Sequence, residues 1–152
     1  MHTSSAAPAL RHLETPEEWR ACLPLMRELR PHLAHADNFV QRLTRMHQEN
    51  YRLLAVMRDG LAVALAGYRY QENLIYGRFM YVDDLVVHPS ARGSRWGARL
   101  IAELDQLARG ADCDEFVLDT GLGNALAQRF YFRQGLLTSA IRFSKPLKGT
   151  TQ

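Results

Sequence analysis

Apolar positions recur along this chain at two spacings, and the change from one to the other marks its elements. Leu10–Leu13 reads as a short first strand. Thr15-Pro16-Glu17-Glu18 then supplies an N-cap, a proline at the first helical position and an acid at the third. Trp19, Cys22, Met26 and Leu29 follow at helical spacing, and Pro24 inside that pattern predicts a kink or two short helices. A second helix is predicted from near Asp37, with Phe39, Val40, Leu43, Met46 and His47 along one face.

The spacing then becomes that of strands. Tyr51–Arg58 and Leu61–Gln71 are β-prone runs joined by Asp59-Gly60, a pair that favours a two-residue hairpin. A third run, Tyr76–Val87, ends at His88-Pro89, and the three together predict an antiparallel meander. Helical spacing returns at Gly97, Leu100, Ile101, Leu104 and Ala108, and Gly110 stops it. A short strand at Glu115–Asp119, a helix over Asn124–Gln134 capped by Gly135, and one or two strands within Leu136–Leu147 complete the order βααβββαβαβ. A meander feeding a β-α-β unit implies an α/β (α+β) fold whose mixed sheet is covered on both faces.

Composition narrows the class. At 152 residues the chain has the length of one domain, read here as spanning 1–152 with frayed ends at 1–8 and 148–152. No apolar run approaches the ~18–20 residues of a membrane helix, and the start lacks the pattern of a signal peptide, so a cytoplasmic protein is the expectation. The net charge of +3 is too small to indicate nucleic acid, but it suits an anionic small ligand. Nearly all of the cationic charge is arginine, only Lys145 and Lys148 being lysines. A GC-rich genome explains that bias as well as phosphate binding does. Cys22 and Cys113 fit no metal or redox spacing and read as reduced, buried thiols.

One segment stands out chemically: Leu85-Val86-Val87-His88-Pro89-Ser90-Ala91-Arg92-Gly93-Ser94-Arg95-Trp96-Gly97-Ala98. A strand ends, a short turn with Arg and Gly follows, and a helix begins. Free N–H groups and the positive end of the helix dipole favour an anion there, and glycines let it approach the main chain. The same glycines also suit a plain strand-to-helix turn. Arg95, at a helix start, is compatible with negative φ.

This segment resembles the acetyl-CoA-binding motif of the GNAT acetyltransferases, Arg/Gln-x-x-Gly-x-Gly/Ala after a strand ending in Val-x-Pro. Asn124-Ala125-Leu126-Ala127-Gln128-Arg129-Phe130-Tyr131-Phe132-Arg133-Gln134-Gly135-Leu136 resembles that family's second signature, Asn-x-x-Ala-x-x-Phe-Tyr-x-x-x-Gly-Phe. The resemblance implies a sheet of six to seven strands with about four helices, acetyl-CoA as acetyl donor, and no metal. It implies transfer to a primary amine by direct attack in a ternary complex. The acceptor is then a small-molecule amine or a protein lysine, with no nucleic acid or membrane partner, and homodimers are common in the family.

Residue by residue, the resemblance implies that the Leu85-Val86-Val87 strand pairs with the pantetheine arm. Arg92, Gly93, Ser94, Arg95, Trp96, Gly97 and Ala98 surround the pyrophosphate, although Arg95 stands where the family prefers glycine. Asn124, Ala127 and Tyr131 join the cofactor-binding set, with Tyr131 as general acid for the leaving thiolate. A core aromatic and a helix N-cap are the plain readings of Tyr131 and Asn124. The segment around Asp83 and Asp84 is similar to that of polyamine acetyltransferases, which implies Asp83 as base and a cationic acceptor at the acidic pair. Adjacent strand residues point to opposite faces unless a bulge intervenes, and a solvated acid or ion pair is the alternative. Arg69, Tyr68 and Tyr70 are candidates for lining the acceptor cleft. His32 and His35 read as solvated residues rather than metal ligands, and His88 as structural. A non-catalytic acyl-CoA-binding module of the same fold remains the alternative function.

Overall fold

In the computed structural model, which describes residues 8–149, Thr15 caps the first helix as its sequence predicts. Its hydroxyl accepts the Glu18 N–H at 3.2 Å, and the Glu18 carboxylate accepts the Thr15 N–H at 3.2 Å. The helix, α1 (Pro16–Leu29), follows a short strand, β1 (Ala9–Leu13). Pro24 sits on its exposed side without dividing it, so the Arg20 carbonyl that loses its donor faces water. Of the expected frayed ends, residues 1–7 and 150–152 lie outside the described residues.

Next come α2 (Ala36–Gln48), β2 (Tyr51–Arg58), β3 (Leu61–Asn73) and β4 (Gly77–Val87). A 3-10 turn (Pro89–Ala91), α3 (Trp96–Gly110) and β5 (Glu115–Leu118) complete the first of two units, which ends at Asp119. The strands lie in the order β1-β2-β3-β4-β5, antiparallel except for the β4–β5 pair, which α3 connects. Asp59 and Gly60 join β2 to β3 with φ values of 52° and 79°, the double positive φ of a type I′ turn. On one face, α1 and α2 bury Trp19, Met26, Phe39 and Leu43 against Leu53, Leu65 and Val86. On the other, Leu100 and Leu104 of α3 cover Ala64, Ala66, Met80 and Val82.

A β-bulge breaks the β3–β4 register. Gly67 is opposite Asp84 and Tyr68 is opposite Val82, so Asp83 is an extra residue. Met80 and Val82 before it, and Leu85 and Val87 after it, all belong to the α3 side of the sheet. Asp83 and Asp84 therefore both face α1 and α2, despite being adjacent. Across from them, Gly67 leaves room for the Tyr51 side chain: a Cβ there would stand 1.8 Å from the phenol oxygen.

The second unit runs from Thr120 and carries α4 (Ala125–Arg133). Asn124 caps it by accepting the Ala127 N–H at 3.1 Å. Gly135, at φ 89°, closes it with bonds from the Gly135 and Leu136 amides to Phe132 and Tyr131, a Schellman end. The strands expected within Leu136–Leu147 are not formed, so among the described residues the sheet has five strands rather than six or seven. Leu137, Ile141 and Phe143 alternate as a strand would, but they are exposed. Alternation signals compatibility with a sheet without supplying the partner that a strand's backbone needs.

Arg95 also departs from expectation. Its φ is 64° and its ψ 20°, a left-handed conformation, where negative φ was expected. The turn must reverse into α3 there, and Arg95 fills the place at which a glycine is free of Cβ strain.

Two stability predictions follow from these conformations. Gly67→Ala drives a Cβ into the Tyr51 ring, and overpacking of this kind costs about 1–3 kcal/mol. Thermal unfolding should then fall by roughly 2–4 °C per kcal/mol at this chain length, and an unchanged midpoint would contradict the close packing. Arg95→Gly should do the reverse. It relieves ~1–2 kcal/mol of left-handed strain, offset by ~0.5–1 kcal/mol of added chain entropy, and so raises the midpoint slightly.

Candidate active site

The bulge gathers charge. Asp84 accepts from Arg30 Nε on one oxygen at 2.9 Å and from the Tyr51 hydroxyl on the other at 2.7 Å. The second arm of the same guanidinium, Nη2, reaches the Asp83 carbonyl at 2.9 Å, a group displaced by the irregular register. Asp83 pairs with Arg69 Nε at 2.7 Å, and the Arg69 guanidinium lies 5.4 Å from the centre of the Tyr51 ring. Burial pushes the Asp83 carboxyl above its ordinary value, against the opposing pull of Arg69. Burial, with Asp84 beside it, pushes the Tyr51 phenol up, so Tyr51 donates to Asp84 as a neutral hydroxyl.

Beyond the bulge β4 has one free edge. The β4–β5 ladder ends at Val82 opposite Leu118, while β4 continues to Val87. The His88 amide donates to the Val63 carbonyl at 2.8 Å, so position 88 faces β3. Alternation turns Val86 the same way and directs the main-chain groups of Leu85 and Val87 to the free edge. Among the described residues no strand covers that edge. An extended ligand can add there as a further strand.

The turn after β4 suits an anion. Gly93 has φ 87° and nothing within 4 Å of where a Cβ would lie. No side chain caps α3, and the first helical amide bond joins Arg99 to Arg95. The amides of Trp96, Gly97 and Ala98 have no backbone acceptor among the described residues. Ser94 instead directs both its amide and its hydroxyl to the Ala91 carbonyl. Trp96 buries its indole in the α3-side core with Nε1 lacking a partner, so the main chain is what this residue offers to the loop. The free edge, the open glycine and the unpaired amides fit the extended arm and pyrophosphate of CoA.

The other candidates divide. Tyr68 and Tyr70 face α3, where Tyr68 hydrogen-bonds His12 at 2.7 Å, and neither joins the acidic pair. Only Arg69 of the three does. Tyr131, half-buried in α4, makes a tilted ring contact with Phe130, and burial pushes its phenol up. Asn124 is an N-cap, and Ala127 donates its amide to that cap. His88 caps the 3-10 turn through Ser90. Among the described residues His32 and His35 belong to no group able to hold a metal. Cys22 is buried, its thiol pushed up to about 12 by burial, while Cys113 is only partly buried.

Sequence reasoning missed Arg30, Tyr51 and Gly67. An isolated glycine within a strand run is a known sign of a bulge or of close approach, and Gly67 carried that sign. Arg30, just past the end of α1, and Tyr51, at the start of β2, give no local signal, since both act through contacts distant in sequence.

The sequence model of the acetyltransferase (GNAT) family matches residues 13–136. The uncharacterized N-acetyltransferase YhdJ of Bacillus subtilis is 29% identical over 140 residues, covering 91% of this chain and 98% of the relative. An aminoalkylphosphonate N-acetyltransferase of Salmonella typhimurium is 33% identical over 99 residues, 64% of this chain and 63% of that protein. An aminoglycoside N-acetyltransferase solved in complex with CoA shares the fold, with a TM-score of 0.80 at 20% identity over 97% of this chain and 99% of that one. The chain therefore belongs to the acetyltransferase (GNAT) family, as an N-acetyltransferase drawing on acetyl-CoA.

Proposed function

We propose that the chain transfers the acetyl group directly to the primary amine of a small molecule, in a ternary complex. The observation that carries this reading is the bulge, which brings Asp83 to the start of the free β4 edge. When bound, acetyl-CoA supplies a thioester open to attack at its carbonyl carbon. Leu85 and Val87 would hold the pantetheine arm through their main chain, and the amides of Gly93 and Trp96 to Ala98 would hold the pyrophosphate, with Arg92 and Arg95 available as counter-charges. Holding both reactants in line supplies most of the catalysis.

Asp83 accepts the proton that the attacking ammonium must lose, directly or through a water. Its raised pKa strengthens it as a base. As the C–N bond forms and the C–S bond breaks, Tyr131 donates its phenolic proton to the departing sulfur, and the second proton that the nitrogen loses on becoming an amide returns to the phenolate through water. This role rests on the motif around Tyr131, and the upward shift from burial keeps the phenol protonated at neutral pH. A polyamine acceptor is a weaker reading. It needs acidic groups free to meet a second ammonium, and Arg30 and Arg69 already engage the pair.

Acetyl-CoA turnover against a panel of amines and lysine peptides tests the reading. Tyr131→Phe should lower kcat about 100-fold while CoA still binds, as loss of a general acid does. Undiminished turnover would remove Tyr131 from the mechanism, and tight CoA binding without any turnover would favour a non-catalytic acyl-CoA-binding module. Because the folded-state pKa of Asp83 lies above its ordinary value, the accepting carboxylate form is lost as pH falls through that raised value. Transfer should decline over the same range, and Asp83→Asn should abolish this limb together with most of the rate.

A further inference from the structure

A cavity of about 300 Å³ lies on the α1–α2 side of the sheet, bounded by both helices, the chain between them, Tyr51 and Asp84. This is near the small end of the ~300–1,000 Å³ range of ligand pockets, a size for a compact molecule rather than a polymer. Its helical walls are mostly methionine, leucine and phenylalanine, and its polar groups are Arg30, Arg42, His32, Tyr51 and Asp84.

The charge facing this cavity is not what the acidic pair alone indicates. Both oxygens of Asp84 are taken, one by Arg30 and the other by Tyr51. Arg30 divides its fork between Asp84 and the Asp83 carbonyl. Arg42, exposed on α2, has no ion-pair partner among the described residues and keeps its five N–H donors available. His32 adds an imidazole at the end of α1. The cavity thus presents unmatched positive charge at its helical end and a neutralised carboxylate at the sheet. A ligand that bridges the two needs an anion at one end, while its other end reaches the bulge.

We propose that the acceptor amine carries an anionic group, a carboxylate, phosphate or phosphonate, held in this cavity with Arg42 as its main counter-charge. The proposal rests on the acetyl-transfer reading for the role of the ligand, and on the cavity alone for its charge. Arg42 binds the distal anion, the apolar walls enclose the short linker, and the amine points toward the bulge. A diamine in the same place would set an ammonium against Arg42.

The test compares 3-aminopropylphosphonate, propylamine and 1,3-diaminopropane as acceptors for the full chain. It also measures by calorimetry the binding of propylphosphonate, which has no amine. The phosphonate-bearing amine should show the highest kcat/KM, at least ~10-fold above the other two, as a charge-assisted contact to a guanidinium implies. Arg42→Glu should remove that advantage and shift preference toward the diamine. It should also weaken propylphosphonate binding by a similar factor, with a circular dichroism melt confirming that the exposed substitution leaves the fold intact.

Acetylation of all three amines without preference, or a phosphonate preference that survives Arg42→Glu, overturns the anion site while leaving acetyl transfer in place. Absence of turnover with all three amines, with propylphosphonate binding that Arg42→Glu abolishes, upholds the anion site and overturns the small-amine acceptor of the proposed function. Absence of both overturns both.

Discussion

The extra residue at Asp83 is the constraint on which the rest of this arrangement depends. A strand that alternates without interruption would put Asp83 and Asp84 on opposite faces, one against α3 and one against α1. The bulge resets the alternation and places both on the α1–α2 side. It also falls just past the point where the β4–β5 ladder ends, at Val82 opposite Leu118. One inserted residue therefore does two things: it concentrates acid at a point on the sheet, and it lies where a main-chain edge becomes free.

Two adjacent, half-buried carboxylates would repel each other without compensation. Arg30 and Arg69 supply it, one from just past the end of α1 and the other from the neighbouring strand. The Arg30 contact uses the planar fork, with one arm on a side chain and the other on a main-chain carbonyl, which a lysine cannot reproduce. Tyr51 completes the set, and it can cross the strand only because position 67 is glycine. The acidic pair, the two arginines, the tyrosine and the glycine form one packed unit, so changing any member shifts the others.

Much of the scaffold is legible from local chemistry. The capping box at Thr15, the Asp59-Gly60 hairpin and the Gly135 helix end each depend on a few consecutive residues, and each forms as its residues dictate. What escapes the sequence depends on pairing. The bulge leaves only partial signs: Gly67 and the adjacent acids of β4 mark where it can lie, but which residue is extra is decided by the β3–β4 pairing. The absence of strands within Leu136–Leu147 has the same origin, since alternation reports a side chain's suitability and says nothing about the partner. At the site, the glycine-bearing turn and the acidic pair could be read from the sequence. The charge that the acids present could not, because it is decided by arginines 54 and 14 residues away.

That last point changes what the arginine-rich composition means. A net charge of +3 spread evenly would describe only a mildly basic surface. In the fold, Arg30 and Arg69 are absorbed by the bulge, Arg92 and Arg95 flank the turn before α3, and Arg42 faces the cavity. An acidic motif that reads as a lure for cations is thereby converted into a neutral floor, and the remaining local charge reverses sign. The selectivity of such a pocket is set less by which ionisable residues the motif contains than by which of them are already paired when a ligand arrives.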